Sequence, residues 1–181
     1  GAKALIDELH SALDPKAYRK AVALLAESEF IDIFGVENSL TPAMDLFTKL
    51  GYLGLTCRLN TDAYLQQIGA GHLPHGAVAV AFSHSGSSAD TVKALRLAKS
   101  HGAKTIAITN AIGAPLASWA DVTLLAGRDS HTIYGNAIFS RVADTALVDM
   151  LYMGVILSDY GRFSTALDES GRMIRDRVFE N

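Results

Sequence analysis

Apolar positions along the chain fall into two alternating kinds of block. Residues 30–34, 52–57, 77–82, 105–108 and 122–125 form short apolar runs of strand length, interrupted only by Asp32, Gly54 and a few threonines. Between them, apolar residues recur at helical spacing. Leu5, Ile6, Leu9 and Leu13 make one such face, and after Asp14-Pro15 a second follows with Ala17, Ala21, Leu24 and Leu25. Leu46, Phe47 and Leu50 predict a helix that stops at Gly51, and residues 62–68 a short one. Val92, Leu95, Ala98 and Lys99 predict a helix ended by Gly102, and residues 115–119 a short one opened by Pro115. Ile138, Val142, Ala146, Asp149, Met150 and Met153 follow one long helix, and residues 165–178 a more polar one.

Strands that are apolar throughout, rather than alternating, are expected of parallel strands covered on both faces. The repeated strand-helix order therefore predicts an α/β domain. Its doubly wound, flavodoxin-like parallel sheet has five strands and helices on both faces. Residues 1–28 are expected to form a helical arm, residues 29–160 the domain, and residues 161–181 a C-terminal helix packing on the domain or on a partner subunit. In such sheets ligands bind beyond the carboxyl ends of the strands, where neighbouring crossovers diverge. Two small polar loops stand at that edge, residues 35–39 and residues 83–88, and they are expected to face one crevice.

Composition narrows the function. The 181 residues carry a net charge of −3 with basic residues scattered along the chain, not the footprint of direct nucleic-acid binding. The longest apolar run, residues 150–157, is far short of the ~20 residues of a membrane span. A single cysteine, Cys57, excludes an intrachain disulfide and is expected to pack as a small hydrophobe. With no charged-then-apolar leader, a cytoplasmic location is expected. The start at Gly1-Ala2, without methionine, suggests a piece of a longer chain. No cofactor is expected. His72 and His75 have metal-like spacing, but Pro74 separates them and no ligand cluster joins them, so no metal site is expected.

The loop Ser83-His84-Ser85-Gly86-Ser87-Ser88 joins a buried strand to a helix. Unpaired backbone N–H groups and the positive end of the helix dipole favour an anion there. The serines add hydroxyl donors, and Gly86 allows close approach. The same residues also suit plain turn and capping chemistry, and that alternative stays open. No Lys or Arg lies in the loop, so an anion would be held by hydrogen bonds and dipoles, which suits a reversibly bound sugar phosphate.

The chain resembles a SIS (sugar isomerase) domain, the phosphosugar-binding fold, over about residues 17–160. Phe34-Gly35-Val36-Glu37-Asn38-Ser39, the serine loop with Thr91, and Ala107-Ile108-Thr109-Asn110 with Ala114-Pro115-Leu116-Ala117 and Ala120-Asp121 carry the resemblance. The opening Leu-Asp-Pro helix pair and the run from Ala137 to Asp144, then Asp149-Met150-Leu151, are most similar to the C-terminal effector domain of RpiR-type bacterial transcription regulators. That resemblance implies a sensor. A sugar phosphate would bind through Gly35, Ser39, Ser83, His84, Ser85, Gly86, Ser88 and Thr91, the protein would be a homodimer or homotetramer, and DNA would be read only by an absent N-terminal helix-turn-helix domain. The first loop departs from the family in carrying Val36-Glu37-Asn38 where small residues are common, and Ser88 stands where threonine is frequent.

Two alternatives accompany this reading. A sugar-phosphate aldose–ketose isomerase of the same fold would need a base, and Glu37, His84 and His131 are the candidates. A structural oligomerisation module would keep the fold without the ligand. The residue pair Arg141 and Asp144, three apart, can meet on one helix face. Asp149 is expected to meet a buried partner or a subunit interface, and residues 150–157, apolar nearly all round, are expected to be covered on more than one side.

Overall fold

In the computed structural model, residues 1–128 and 140–177 are described. Five parallel strands, β1 (Ile31–Phe34), β2 (Cys57–Leu59), β3 (Val78–Phe82), β4 (Lys104–Thr109) and β5 (Val122–Leu125), form one sheet in the order β2-β1-β3-β4-β5. The helices are α1 (Ala2–Ala12), α2 (Pro15–Glu27), α3 (Leu40–Tyr52), α4 (Ala63–Ala70), α5 (Ala89–Ser100), α6 (Val142–Ser158) and α7 (Tyr160–Met173). Residues Pro115–Trp119 form a 3-10 turn at the predicted position.

The sheet is buried on both faces, but by side chains of different size. Ile31, Ile33, Val78, Val80, Phe82, Ile106, Ile108, Val122 and Leu124 fill one core with residues of α1, α2, α3, α6 and α7. On the other face Ala77, Ala79, Ala81 and Ala107 meet Ala94, Leu95 and Ala98 of α5. Alanines on strand and helix let α5 lie close to the sheet, while the branched side chains opposite fill a thicker layer. Leu9, Ala21 and Leu25 place the first two helices in the same core as the strands, and Phe163 does so for α7. Asp14 caps α2 by accepting from Lys16 N, with Pro15 at the first helical position.

Two predicted elements are displaced: the C-terminal helix, expected over residues 165–178, runs from Tyr160 to Met173, and the second strand lies further on. The run 52–57 is not a strand: α3 continues to Tyr52, Leu53 and Leu55 pack into the core, and the strand is Cys57–Leu59. The left-handed glycine that closes this helix end is Gly54, not Gly51. Gly54 has φ +72, its N–H donates to Gly51 O at 3.0 Å, and Leu55 N donates to Leu50 O at 3.2 Å. Strand β2 is polar at its centre because Arg58 lies opposite Asp32 in the ladder and donates to its carboxylate from Nε and Nη2 at 3.1 and 2.5 Å. Cys57 is half-buried, and burial pushes its thiol up to about 12, a poor nucleophile.

α6 also differs from expectation. Its described part begins at Val142, and Ile138 lies outside the described residues. Leu147, Leu151 and Val155 are buried, yet Met150, Met153 and Leu157 are exposed, because α1, α2, α3 and α7 cover only part of the helix. Asp149 is exposed and pairs with Lys49 of α3, which Asp45 also contacts.

Candidate functional site

The crossover after β1 runs through α3 on one face of the sheet, and the crossover after β3 runs through α5 on the other. Neighbouring strands β1 and β3 therefore send their chains in opposite directions, and a crevice opens at their carboxyl ends. A cavity of about 320 Å³ lies there, walled by Val36, Glu37, Asn38 and Ser39 from the first loop, by Ser83, His84, Ser85, Ser87 and Ser88 from the second, and by Asp90 and Arg141. The two loops singled out in the sequence thus share one cavity.

Each loop is pinned from below. The buried Gln66 side chain accepts from Gly35 N at 3.2 Å and donates to Gly35 O at 2.7 Å, so α4 braces the turn after β1. Gly35 then leads into a 3-10 turn, Glu37–Ser39, that folds back over it. A Cβ on Gly35 would stand 3.1 Å from Ser39 O. In the second loop, Ser83 N donates to Ile108 O, Asn110 N and Thr109 Oγ1 donate to His84 O, and Gly86 N donates to Ser83 O. Gly86 has φ +62 and packs directly on Ala114 and Thr109.

The expected site residues divide accordingly. Ser39, Ser83, His84, Ser85 and Ser88 line the cavity, as does Glu37. Gly35, Gly86 and Thr91 are not among its lining residues. Gly35 and Gly86 shape the loops, and Thr91 is fully buried with its hydroxyl 3.4 Å from Ser88 Oγ. His131 lies outside the described residues. Among the described residues no group of three His, Cys, Asp or Glu side chains could hold a metal ion.

Arg141 and Asp90 are the residues that sequence reasoning missed. Asp90 stands in the first turn of α5 and accepts from Gln67 Nε2 at 3.0 Å. Arg141 stands at the N-cap position of α6 and lines a crevice whose two loops hold no Lys or Arg. One signal was present. A positive charge at a helix N-terminus opposes the dipole, so an arginine there asks for another role.

Asp144, one turn further along α6, is only 4 % exposed, and among the described residues its Oδ2 has no hydrogen-bond partner. Burial pushes its carboxyl up to about 6 from 3.8, although the charge of Arg141 pulls the other way. The folded state therefore holds this proton more tightly than the unfolded chain. The associated stability is complete below about 3.8 and is lost as the pH rises through about 6. At about 1.4 kcal/mol per tenfold change in acidity, the loss is about 3 kcal/mol. Asp144→Asn is expected to raise the melting temperature at pH 8 and to leave it nearly unchanged at pH 4. Equal effects at both pH values in a thermal melt would show that the charged carboxylate is not what costs stability.

Comparison with known proteins agrees with this architecture. The SIS domain family matches residues 24–154. An uncharacterized HTH-type transcriptional regulator of Caldanaerobacter subterraneus is 30% identical over 179 residues, 99% of this chain and 64% of its own length. The chain thus spans less than two thirds of that relative. Among solved structures, the Vibrio vulnificus NanR protein complexed with ManNAc-6P superposes with a TM-score of 0.92 at 24% identity, over 99% of this chain and 67% of that one. The sugar isomerase domain of the RpiR transcription factor from Sphaerobacter thermophilus does so with 0.84 at 23% identity, over 94% of each chain. With a family match over residues 24–154, most of its length, this chain belongs to the SIS domain family, and it resembles RpiR-type regulators.

Proposed function

We propose that this chain is the phosphosugar-sensing effector domain of an RpiR-like transcriptional regulator. In that regulator a helix-turn-helix segment outside the present sequence would read DNA, and occupancy of the crevice would control it. The observation that carries the reading is the crevice between β1 and β3, where four serines of one loop converge with Arg141. Hydroxyls and loop N–H groups suit phosphate oxygens, and a guanidinium supplies the charge that the loops lack. The relatives support it: one is an HTH-type regulator longer than this chain, and the Vibrio vulnificus protein of the same fold was solved with a phosphosugar. The exposed Met150, Met153 and Leu157 on α6 support a homodimer or homotetramer. No described helix is long and apolar enough to cross a membrane.

A thermal-shift screen against hexose, pentose, amino-sugar and N-acetylamino-sugar phosphates, each beside its unphosphorylated sugar, tests the reading. A ligand at about 100 times its dissociation constant adds about 2.7 kcal/mol, a shift of several degrees. Stabilisation that requires the phosphate is expected, and incubation of the hit without turnover separates a sensor from an isomerase. Ser85→Asp is expected to abolish that shift by like-charge repulsion with the fold intact, because Ser85 is only partly buried and its side chain bonds only within the loop. Normal binding by this variant would overturn the assignment of the serine loop.

A further inference from the structure

The charges around the crevice do not match those of a plain sugar phosphate. Among the described residues, the charged side chains lining this cavity of about 320 Å³ belong to two acids, Glu37 and Asp90, and one arginine, Arg141. A phosphate brings nearly two further negative charges. Arg141 offsets only part of that, so a ligand otherwise neutral would leave the occupied crevice with excess negative charge. Asp90 is engaged by Gln67, but the carboxylate of Glu37 makes no hydrogen bond or ion pair among the described residues.

Glu37 also has an unusual backbone. It is the one described residue other than glycine with a positive φ, +51. A side chain in the left-handed region is strained, and among the described residues no hydrogen bond or ion pair of the Glu37 side chain offsets that strain. The residue lies on the opposite loop from the serines, at the exposed rim of the cavity. A phosphate seated on the serine loop leaves the rest of the ligand toward this carboxylate.

Resting on the phosphosugar reading above, we infer that the crevice selects phosphosugars bearing a free ammonium group, which Glu37 reads, over their hydroxyl and N-acetyl counterparts. The ammonium offsets one of these negative charges and donates charge-assisted hydrogen bonds to the carboxylate. A hydroxyl donates only an ordinary one. N-acetylation removes both the charge and two of the three donors.

The test is calorimetric titration of the 181-residue chain with matched 6-phosphates of glucosamine, glucose and N-acetylglucosamine, and of the mannose-configured trio. A preference of about tenfold for the ammonium member is expected, since a hydrogen bond to a charged group exceeds a neutral one by roughly 1.4 kcal/mol. Glu37→Gln keeps size and hydrogen-bonding capacity, and it is expected to remove that preference while leaving the hydroxyl member bound as well as before or better. Binding without an ammonium preference, or a preference that survives Glu37→Gln, would overturn this inference and leave the phosphosugar reading standing. If no phosphosugar bound while the melting curve remained cooperative, the earlier reading itself would fall.

Discussion

Gly86→Ala is expected to destabilise the domain by about 2–5 kcal/mol, lowering the melting temperature by on the order of 10 °C. Two effects add. At φ +62 an alanine pays the left-handed backbone cost, and its Cβ would stand 2.4 Å from Ala114 Cβ and 2.9 Å from Thr109 Oγ1. Neither neighbour is a flexible tip that can swing aside. Thr109 ends β4 and holds the loop through His84 O, and Ala114 leads into the turn whose Leu116 N donates to Gly86 O. Relief must therefore come from the serine loop itself, so the response to phosphosugars is expected to disappear with the stability. Gly76→Ala separates the two terms, since Gly76 has φ +78 and nothing within 4 Å of its missing Cβ. Equal losses for the two variants in urea unfolding would rule out the steric part.

Arg58→Ala is expected to cost about 3–5 kcal/mol, because it strands Asp32, 1 % exposed, in the centre of the sheet without its counter-charge. The site is built around the guanidinium. Phe30 stacks beneath it at 5.2 Å, and a Cβ on Gly69 would lie 2.6 Å from Nη2, so only glycine leaves room for the arginine. Burial already holds the Asp32 carboxyl above the ordinary range despite the two bonds from Arg58. Without Arg58 the carboxyl rises further, and the folded state then takes up a proton that the unfolded chain does not. The deficit of the variant is therefore largest at neutral pH and shrinks as the pH falls toward the raised value. Adding Asp32→Asn should recover part of the loss at pH 7. A deficit independent of pH, with no recovery in the double variant, would mean that lost packing of the arginine stem dominates.

The same pair explains where the sequence was hard to read. Strand β3, the serine loop, α5 and β4 were legible because apolar runs, a glycine and a helical face agree at every level. Strand β2 was not, since a charged residue at its centre hides the strand from any hydrophobic reading until Asp32 is known to lie opposite. Gly51 looked like a helix stop, yet the left-handed residue is Gly54, and nothing local distinguishes the two. In the candidate site, the two loops were visible as small polar segments after apolar runs. Arg141 was not, because more than fifty residues separate it from the serine loop and only the folded chain brings α6 to the crevice. Gln66, which pins Gly35, looked like an ordinary helix residue for the same reason.

The opposed crossovers at β1 and β3 have an evolutionary consequence. Most side chains that wall the crevice project from loops beyond the last ladder pair, while the strands beneath carry the pairing and the core. On the proposed reading, substitutions at Glu37, Asn38, Ser87 or Asp90 would alter what is recognised without disturbing what folds. Hidden supports such as Gly86 and Gln66 serve both tasks. A lineage of such domains is free to diverge in ligand quickly, by exchanging a few rim residues, while its architecture stands still.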